Sequence, residues 1–290
     1  DVCSSDLSFH RELTPMSLQN LGLGFSLLLG AAFSSVSRAD QPIFNEMPRW
    51  DNGWGFQLIE EYRHDSDLMS GDVVVADGFS EDVHLLHIEG VYTWDKSVRI
   101  TAKLPVVLDA RRELLSELGG KRIQRDEGIG DATIAIPLKR YFNLNGRSGS
   151  WTLTPQIRIP LSDKDEYEIY DGEWGQGVFA GYETETHRYL FAVGASTWVF
   201  GGADPFQASA NLDLGLNISP FGIYGHIKWE SDFIYEDDGT EKLYVGPKLY
   251  LKFTDMVHVQ ALYKTEIHSR RNELDHGNSS FASFGIAFVY

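Results

Sequence analysis

From Gln207 to Ile218, apolar Ala208, Ala210, Leu212, Leu214, Leu216 and Ile218 alternate with Gln207, Ser209, Asn211, Asp213, Gly215 and Asn217. A period of two held over twelve residues predicts a long β-strand with one apolar and one polar face. Ser219-Pro220 turns the chain, and Phe221 to Asp232 repeats the pattern. Ile223, Ile227 and Trp229 take one side, and Tyr224, His226, Lys228, Glu230 and Asp232 the other. Strands in soluble proteins usually run about 5–6 residues, whereas a tilted transmembrane strand needs about 9–11 with one apolar face.

The pattern recurs along the chain and predicts twelve strands, at about 54–63, 82–94, 98–108, 128–142, 151–161, 173–183, 188–199, 207–218, 221–234, 242–253, 257–268 and 280–290. Connections at 95–97, 143–150, 184–187, 219–220 and 254–256 are short. Those at 64–81, 109–127, 162–172, 200–206, 235–241 and 269–279 are mostly longer and charged, and Arg111 to Leu118 reads as a short helix within one of them. Long and short connections alternate, as they do when one rim of a barrel carries tight turns and the other extracellular loops. Trp54, Trp94, Phe142, Trp151, Tyr189, Phe221, Phe253 and Tyr290 gather at the short-turn ends, where aromatic rings suit the headgroup level. The predicted fold is therefore all-β, a transmembrane antiparallel up-and-down barrel of about twelve strands.

Composition changes this picture little. Mean hydropathy over the 290 residues is −0.24, a value that alternation produces even in a membrane barrel. No apolar run approaches the roughly 18 residues of a membrane helix. A net charge of −17 argues against a nucleic-acid partner. Asp1 to Leu7 matches the translation of a sequencing adapter, so residues 1–15 read as adapter-derived or upstream, and Cys3, the one cysteine, belongs to them. Residues 16–39 read as a signal peptide, with an apolar core from Leu21 to Phe33 and small residues at Ser37 and Ala39. Residues 40–53 form a short periplasmic leader, and 54–290 the barrel.

Glu127-Gly128-Ile129-Gly130-Asp131-Ala132-Thr133 opens a predicted strand that ends Lys139-Arg140-Tyr141-Phe142. This element resembles one found in outer-membrane transporters associated with meta-pathway phenol degradation. The resemblance in layout covers roughly 54–290 and implies uptake of small solutes, aromatic or apolar compounds among them. The ending Phe284-Gly285-Ile286-Ala287-Phe288-Val289-Tyr290 is similar to the C-terminal signature of bacterial outer-membrane proteins. It implies residence in a Gram-negative outer membrane, with that membrane's lipid and its assembly machinery as partners.

The polar faces predict a lumen lined by Glu89, Arg99, Lys103, Asp131, Lys139, Arg158, Asp213, His226, Lys228, Glu230, Lys248, Lys252, His258, Lys264 and Glu266. Charges of both signs around a lumen wider than side chains can fill point to passive diffusion through a polar pore. No cofactor or metal is expected, because the acidic run Asp163, Asp165, Glu166, Glu168 and Asp171 lacks the spacing of a calcium loop. Two other classes stand beside the channel. A lipid hydrolase could draw on His268, Ser269, Asp275, His276 and Ser279, although no nucleophile motif accompanies them. A structural or receptor barrel is the other.

Turn lengths predict registers. Trp94 should face Val98 and Glu89 should face Lys103. Lys252 should face His258, and Tyr244 should face Glu266. Asp213 should face His226, Ser209 should face Glu230, and Phe142 should face Trp151. The last pairing sets Pro137 opposite Gln156, beside a Leu138–Pro155 pair. Pro105, Pro137, Pro155 and Pro160 all fall in the third to fifth predicted strands, and proline removes a ladder donor. A lateral gap at Pro137 and Pro155, or a bulge there, is the expected result.

If the apolar faces meet lipid, Leu212→Arg or Leu214→Arg should lower folding free energy in vesicles by roughly 2–4 kcal/mol. Asn211→Arg, on the opposite face, should cost much less. Equal losses for Leu212→Arg and Asn211→Arg in equilibrium unfolding would refute the assignment of faces.

Overall fold

The computed structural model describes residues 51–115, 120–144, 147–162, 169–170, 172–202 and 206–290. The expected signal peptide, the expected leader up to residue 50 and the acidic residues Asp163, Asp165, Glu166, Glu168 and Asp171 lie outside them. Fourteen strand segments form a single sheet: β1 (Gly53–Gly71), β2 (Val73–Asp95), β3 (Val98–Leu115), β4 (Lys121–Ile129), β5 (Ala132–Ala135), β6 (Leu138–Leu144), β7 (Arg147–Ile159), β8 (Gly175–Glu185), β9 (Tyr189–Phe200), β10 (Phe206–Ile218), β11 (Tyr224–Glu236), β12 (Glu241–Lys252), β13 (Val257–Gly277) and β14 (Ser280–Val289). All the pairings are antiparallel. β4, β5 and β6 follow one another along β3, with β5 and β6 also pairing β7, so they make one interrupted strand and the wall counts twelve. Ten residue pairs from Gly55↔Val289 to His64↔Ser280 join the first strand to the last and close the barrel.

Alternation sorts the side chains as the sequence predicts. Leu153, Val178, Val193, Leu212, Leu214, Ile227, Trp229 and Phe284 are exposed on the outer surface. Trp54, Trp94, Trp151, Tyr189, Phe221, Phe253 and Tyr290 are exposed at the short-turn rim, while Phe142 is half-covered and stacks on Tyr182. β8 alternates weakly because its inward positions are partly glycine. A Cβ on Gly177 would stand 2.5 Å from the ring of Trp198, and one on Gly175 would stand 2.6 Å from Phe200. The flat rings of β9 lie across their neighbour and fill the inner face there.

Several connections read as loops are strand. β1 runs on to Gly71 and β2 begins at Val73, while β3 extends to Leu115 and β13 to Gly277. Polar residues on both faces hide such strands from a search for amphipathic alternation. The expected helix from Arg111 is corrected likewise: Arg111 to Leu115 continue β3, and 116–118 lie outside the described residues.

Three registers match the sequence expectation: Glu89↔Lys103, Lys252↔His258 and Tyr244↔Glu266. Three differ. Val98 pairs with Asp95 rather than Trp94, because Asp95 Oδ1 accepts the amides of Ser97 at 2.5 Å and Val98 at 3.2 Å and tightens the turn. Asp213 faces Glu230, and Ser209 faces Ile234. The turn there is longer than Ser219-Pro220, since Pro220–Gly222 forms a 3-10 turn with Phe221 at φ 54°. Phe142 faces Gly149 and Arg140 faces Trp151, because pairing continues to Leu144↔Arg147.

The fourth wall strand is interrupted twice, at 130–131 and at 136–137. Across the second gap Ala135 faces Gln156 and Leu138 faces Leu153, not Pro155. The register is the same on both sides, so no residue is inserted and the site is not a bulge. Ile136 N donates to Pro155 O at 3.0 Å, and Lys139 N donates to Ser97 O at 2.8 Å. Pro155 has no N–H to return, and Pro137 has none to give.

Directly opposed antiparallel residues lie about 4.5–5.5 Å apart at Cα, within reach of a disulfide. With Cys3 replaced by Ser, Asp213→Cys with Glu230→Cys should oxidise to a cross-link, and Asp213→Cys with His226→Cys should not. Mass spectrometry of the folded, oxidised protein reads the difference, and the reverse pattern would restore the shorter turn.

Candidate functional site: a charge-balanced lumen

Inside the wall lies a cavity of about 1160 Å³. Its lining reaches from Ser148 and Lys252, beside the short turns, to Glu236 and Lys242 at the far ends of β11 and β12. Of the fifteen residues expected to line the lumen, eleven border this cavity: Glu89, Lys103, Lys139, Arg158, Asp213, His226, Lys228, Glu230, Lys248, Lys252 and His258. The other four also turn inward and are engaged in the wall. Arg99 is buried on β3. Lys264 is buried against Glu230 at 2.7 Å and against Asp232. Glu266 pairs with Arg271 at 3.0 Å. Asp131 departs most from expectation: its Oδ1 accepts Leu161 N at 3.1 Å, Ser162 N at 3.3 Å and Ser162 Oγ at 2.8 Å.

Neighbouring strands supply opposite charges at similar depth. Lys228 meets Asp213 at 3.6 Å, and Lys248 meets Glu230 at 3.5 Å. Lys139 pairs with Glu183, which also accepts from Ser150 Oγ at 2.7 Å. Near the short-turn rim the rings of His226 and Tyr250 stack at 4.7 Å, and Tyr250 Oη lies 2.5 Å from His258 Nδ1. Arg158 sits over the Phe200 ring at 4.9 Å. Sequence reasoning missed Glu61, Arg63 and Glu183, which also border the cavity. The parity of the first strand would have found Glu61 and Arg63, whereas the glycines of β8 blurred the signal for Glu183. Among the described lining residues the cavity holds eight acidic and eight basic side chains, in a chain of net charge −17. The excess negative charge lies elsewhere.

Beyond the belt, the extended strands are tied by ion pairs and carboxylate hydrogen bonds. Arg63 and Arg112 both contact Glu81, at 2.9 and 2.8 Å. Asn278 Nδ2 donates to Asp67 at 2.7 Å and holds that carboxyl below the ordinary range. Lys121 does the same for Glu113 at 2.6 Å. The hydrolase candidates share this region without meeting as a triad. Ser269 Oγ contacts Met69 Sδ at 3.6 Å, His276 Nε2 contacts the carbonyl of Glu113 at 2.9 Å, and His268 is exposed. Asp275 faces Lys242 and Arg271.

No family model matches the chain, and no curated protein matches it. Among solved structures, an outer membrane channel from Pseudomonas putida F1 superposes with a TM-score of 0.69 at 13% identity, over 87% of this chain and all of that one. This likeness establishes the fold: the chain has the architecture of a closed antiparallel β-barrel like that of the Pseudomonas putida channel. The CymD monoaromatic hydrocarbon channel aligns over 83% of this chain and 89% of its own, at 9% identity and a TM-score of 0.41. OccAB4 of Acinetobacter baumannii aligns over 85% of this chain and all of its own, at 8% identity and 0.35.

A lumen with balanced charge should discriminate little between small cations and anions. In planar bilayers the potassium-to-chloride permeability ratio should lie near one. Lys103→Gln with Arg158→Gln should shift it several-fold toward potassium, and Glu89→Gln should shift it toward chloride. A wild-type lumen already strongly selective for either ion would contradict the balance.

Proposed function

We propose that the protein is a channel in the outer membrane of a Gram-negative bacterium, passing small solutes by passive diffusion through the lumen. The observation that carries this reading is one cavity lined by eight acidic and eight basic side chains inside a wall that is apolar outside. The fold shared with the Pseudomonas putida channel supports it. Residues 16–39 would direct export, and the C-terminal strand would engage the assembly machinery that inserts barrels into lipid.

Aromatic and apolar compounds are the proposed solutes. The resemblance of the Glu127–Thr133 element to phenol-pathway transporters supports this, as does an apolar ledge of Val83, Leu85 and Val107 on the inner wall. For such solutes Pro137 and Pro155 offer a lateral route, because the ladder lacks two donors within one patch where β5 gives way to β6.

Vesicles containing the refolded protein should take up phenol faster than empty vesicles and should pass potassium and chloride. Pro137→Val with Pro155→Val should slow phenol uptake several-fold and leave ion conductance unchanged. Unchanged phenol uptake in this double variant, folded at normal yield, would eliminate the lateral route. Absence of both uptake and conductance in the wild type would eliminate the channel.

A further inference from the structure

The inner wall is polar over most of its length, yet β2 and β3 turn Val83, Leu85, Val107 and Ala110 inward as one buried apolar cluster. Ile169 and Tyr170, between β7 and β8, cover that cluster, and both also border the lumen cavity. The place taken by Tyr170 is shaped for a flat ring. At Gly130, between β4 and β5, an added Cβ would stand 2.4 Å from Tyr170 Cδ2 and 2.5 Å from Cε2. The ring therefore occupies space that only glycine leaves free. Hydrogen bonds on either side set the backbone: Asp126 Oδ2 accepts Ile169 N at 2.9 Å, and Ser162 Oγ lies 3.2 Å from the Tyr170 carbonyl oxygen. Asp131 holds Ser162 in turn. The Gly130-Asp131 pair thus serves a second end beyond opening a strand. Glycine makes the floor of a ring-shaped seat, and the aspartate anchors the segment beside it.

From this geometry we infer that the Tyr170 seat is a binding site for single-ring aromatic solutes of the phenol class, occupied here by the chain's own side chain. A tyrosine side chain is p-cresol on a tether. A pocket that accepts one, with apolar walls and a floor without a Cβ, accepts the free molecule by the same contacts. Because the seat borders the lumen, a dissolved ring reaches it directly and competes with Tyr170 for one place. The tethered ring lowers the apparent affinity by the fraction of time the seat is filled. The site rests on the reading that aromatic solutes enter the lumen, and it assigns them a first stop on the wall.

The test measures binding of p-cresol to the purified full-length protein by titration calorimetry, with glucose as the control solute. Tyr170→Ala should bind p-cresol about tenfold more tightly than wild type, since the internal competitor is gone. Adding Gly130→Val should abolish that gain by filling the floor, and Leu85→Asn should do so by making a wall polar. Either variant serves if the other fails to fold, as judged by heat-modified gel mobility. Equal affinities in folded wild type and Tyr170→Ala, or a gain that survives both Gly130→Val and Leu85→Asn, would overturn the site. Uptake of p-cresol into vesicles is read separately. Its absence in the wild type would refute the aromatic channel, while the calorimetric result would still decide the seat.

Discussion

A wall in hydrocarbon must bond every backbone N–H and C=O within itself, because lipid offers these groups no partner. The rest of this molecule follows from that demand. The ten pairs between β1 and β14 close the sheet on itself. Each strand from β7 to β14 is paired on both sides, and a residue's neighbours at its depth are fixed once the registers are set. The demand is relaxed at one patch, where Pro137 and Pro155 remove donors. Even there Ile136 and Lys139 bond outward to opposite neighbours, so the wall is thinned rather than cut. At the ends of β3 and β4 the chain departs from the ladder more freely, and there Asp126 and Asp131 replace strand partners with carboxylate oxygens.

The faces of the strands were legible in the sequence because side-chain direction depends only on parity. The registers were less so. Ser219-Pro220 reads as a two-residue turn, but the positive φ of Phe221 and the 3-10 turn shift the β10–β11 pairing by four residues. The pairing of β6 with β7 moves by two. Both shifts are even, so Asp213, Glu230 and Arg140 keep their faces and only their partners change. Odd slips would have sent charges into lipid, which explains why the inward set survives wrong registers. Tyr170 was not legible at all. It belongs to a connection, and its place on Val83 and Gly130 is set by the hydrogen bonds of Ile169 and Tyr170 to Asp126 and Ser162 rather than by any periodic signal.

Charge pairing in the lumen follows from the same closed topology. With strands about 4.8 Å apart, residues on adjacent strands that face inward at one depth are forced together. Like charges at such positions would be destabilising, and an unpaired buried charge more so. Lys264 extends the solution across β12, its ammonium group meeting Glu230 and Asp232 of β11 and lying 5.9 Å from the centre of the Phe281 ring. A lumen built this way can be densely charged and still present a weak net field to what passes through it.

The length of β2 has a consequence for how a solute meets the cell surface. Its 23 residues at about 3.3 Å each, tilted by about 40°, reach roughly 58 Å along the barrel axis, against an apolar belt of about 25 Å. Since Trp94 marks the short-turn rim, nearly all of the surplus stands on the other side, as a screen up to about 30 Å tall. β1, β3, β4 and β13 rise beside it, whereas β8 to β12 end after 11 to 13 residues, about the depth of the belt itself. The far mouth is therefore walled on one flank and low on the other, so a solute would reach the lumen from the side of the short strands rather than straight down the axis.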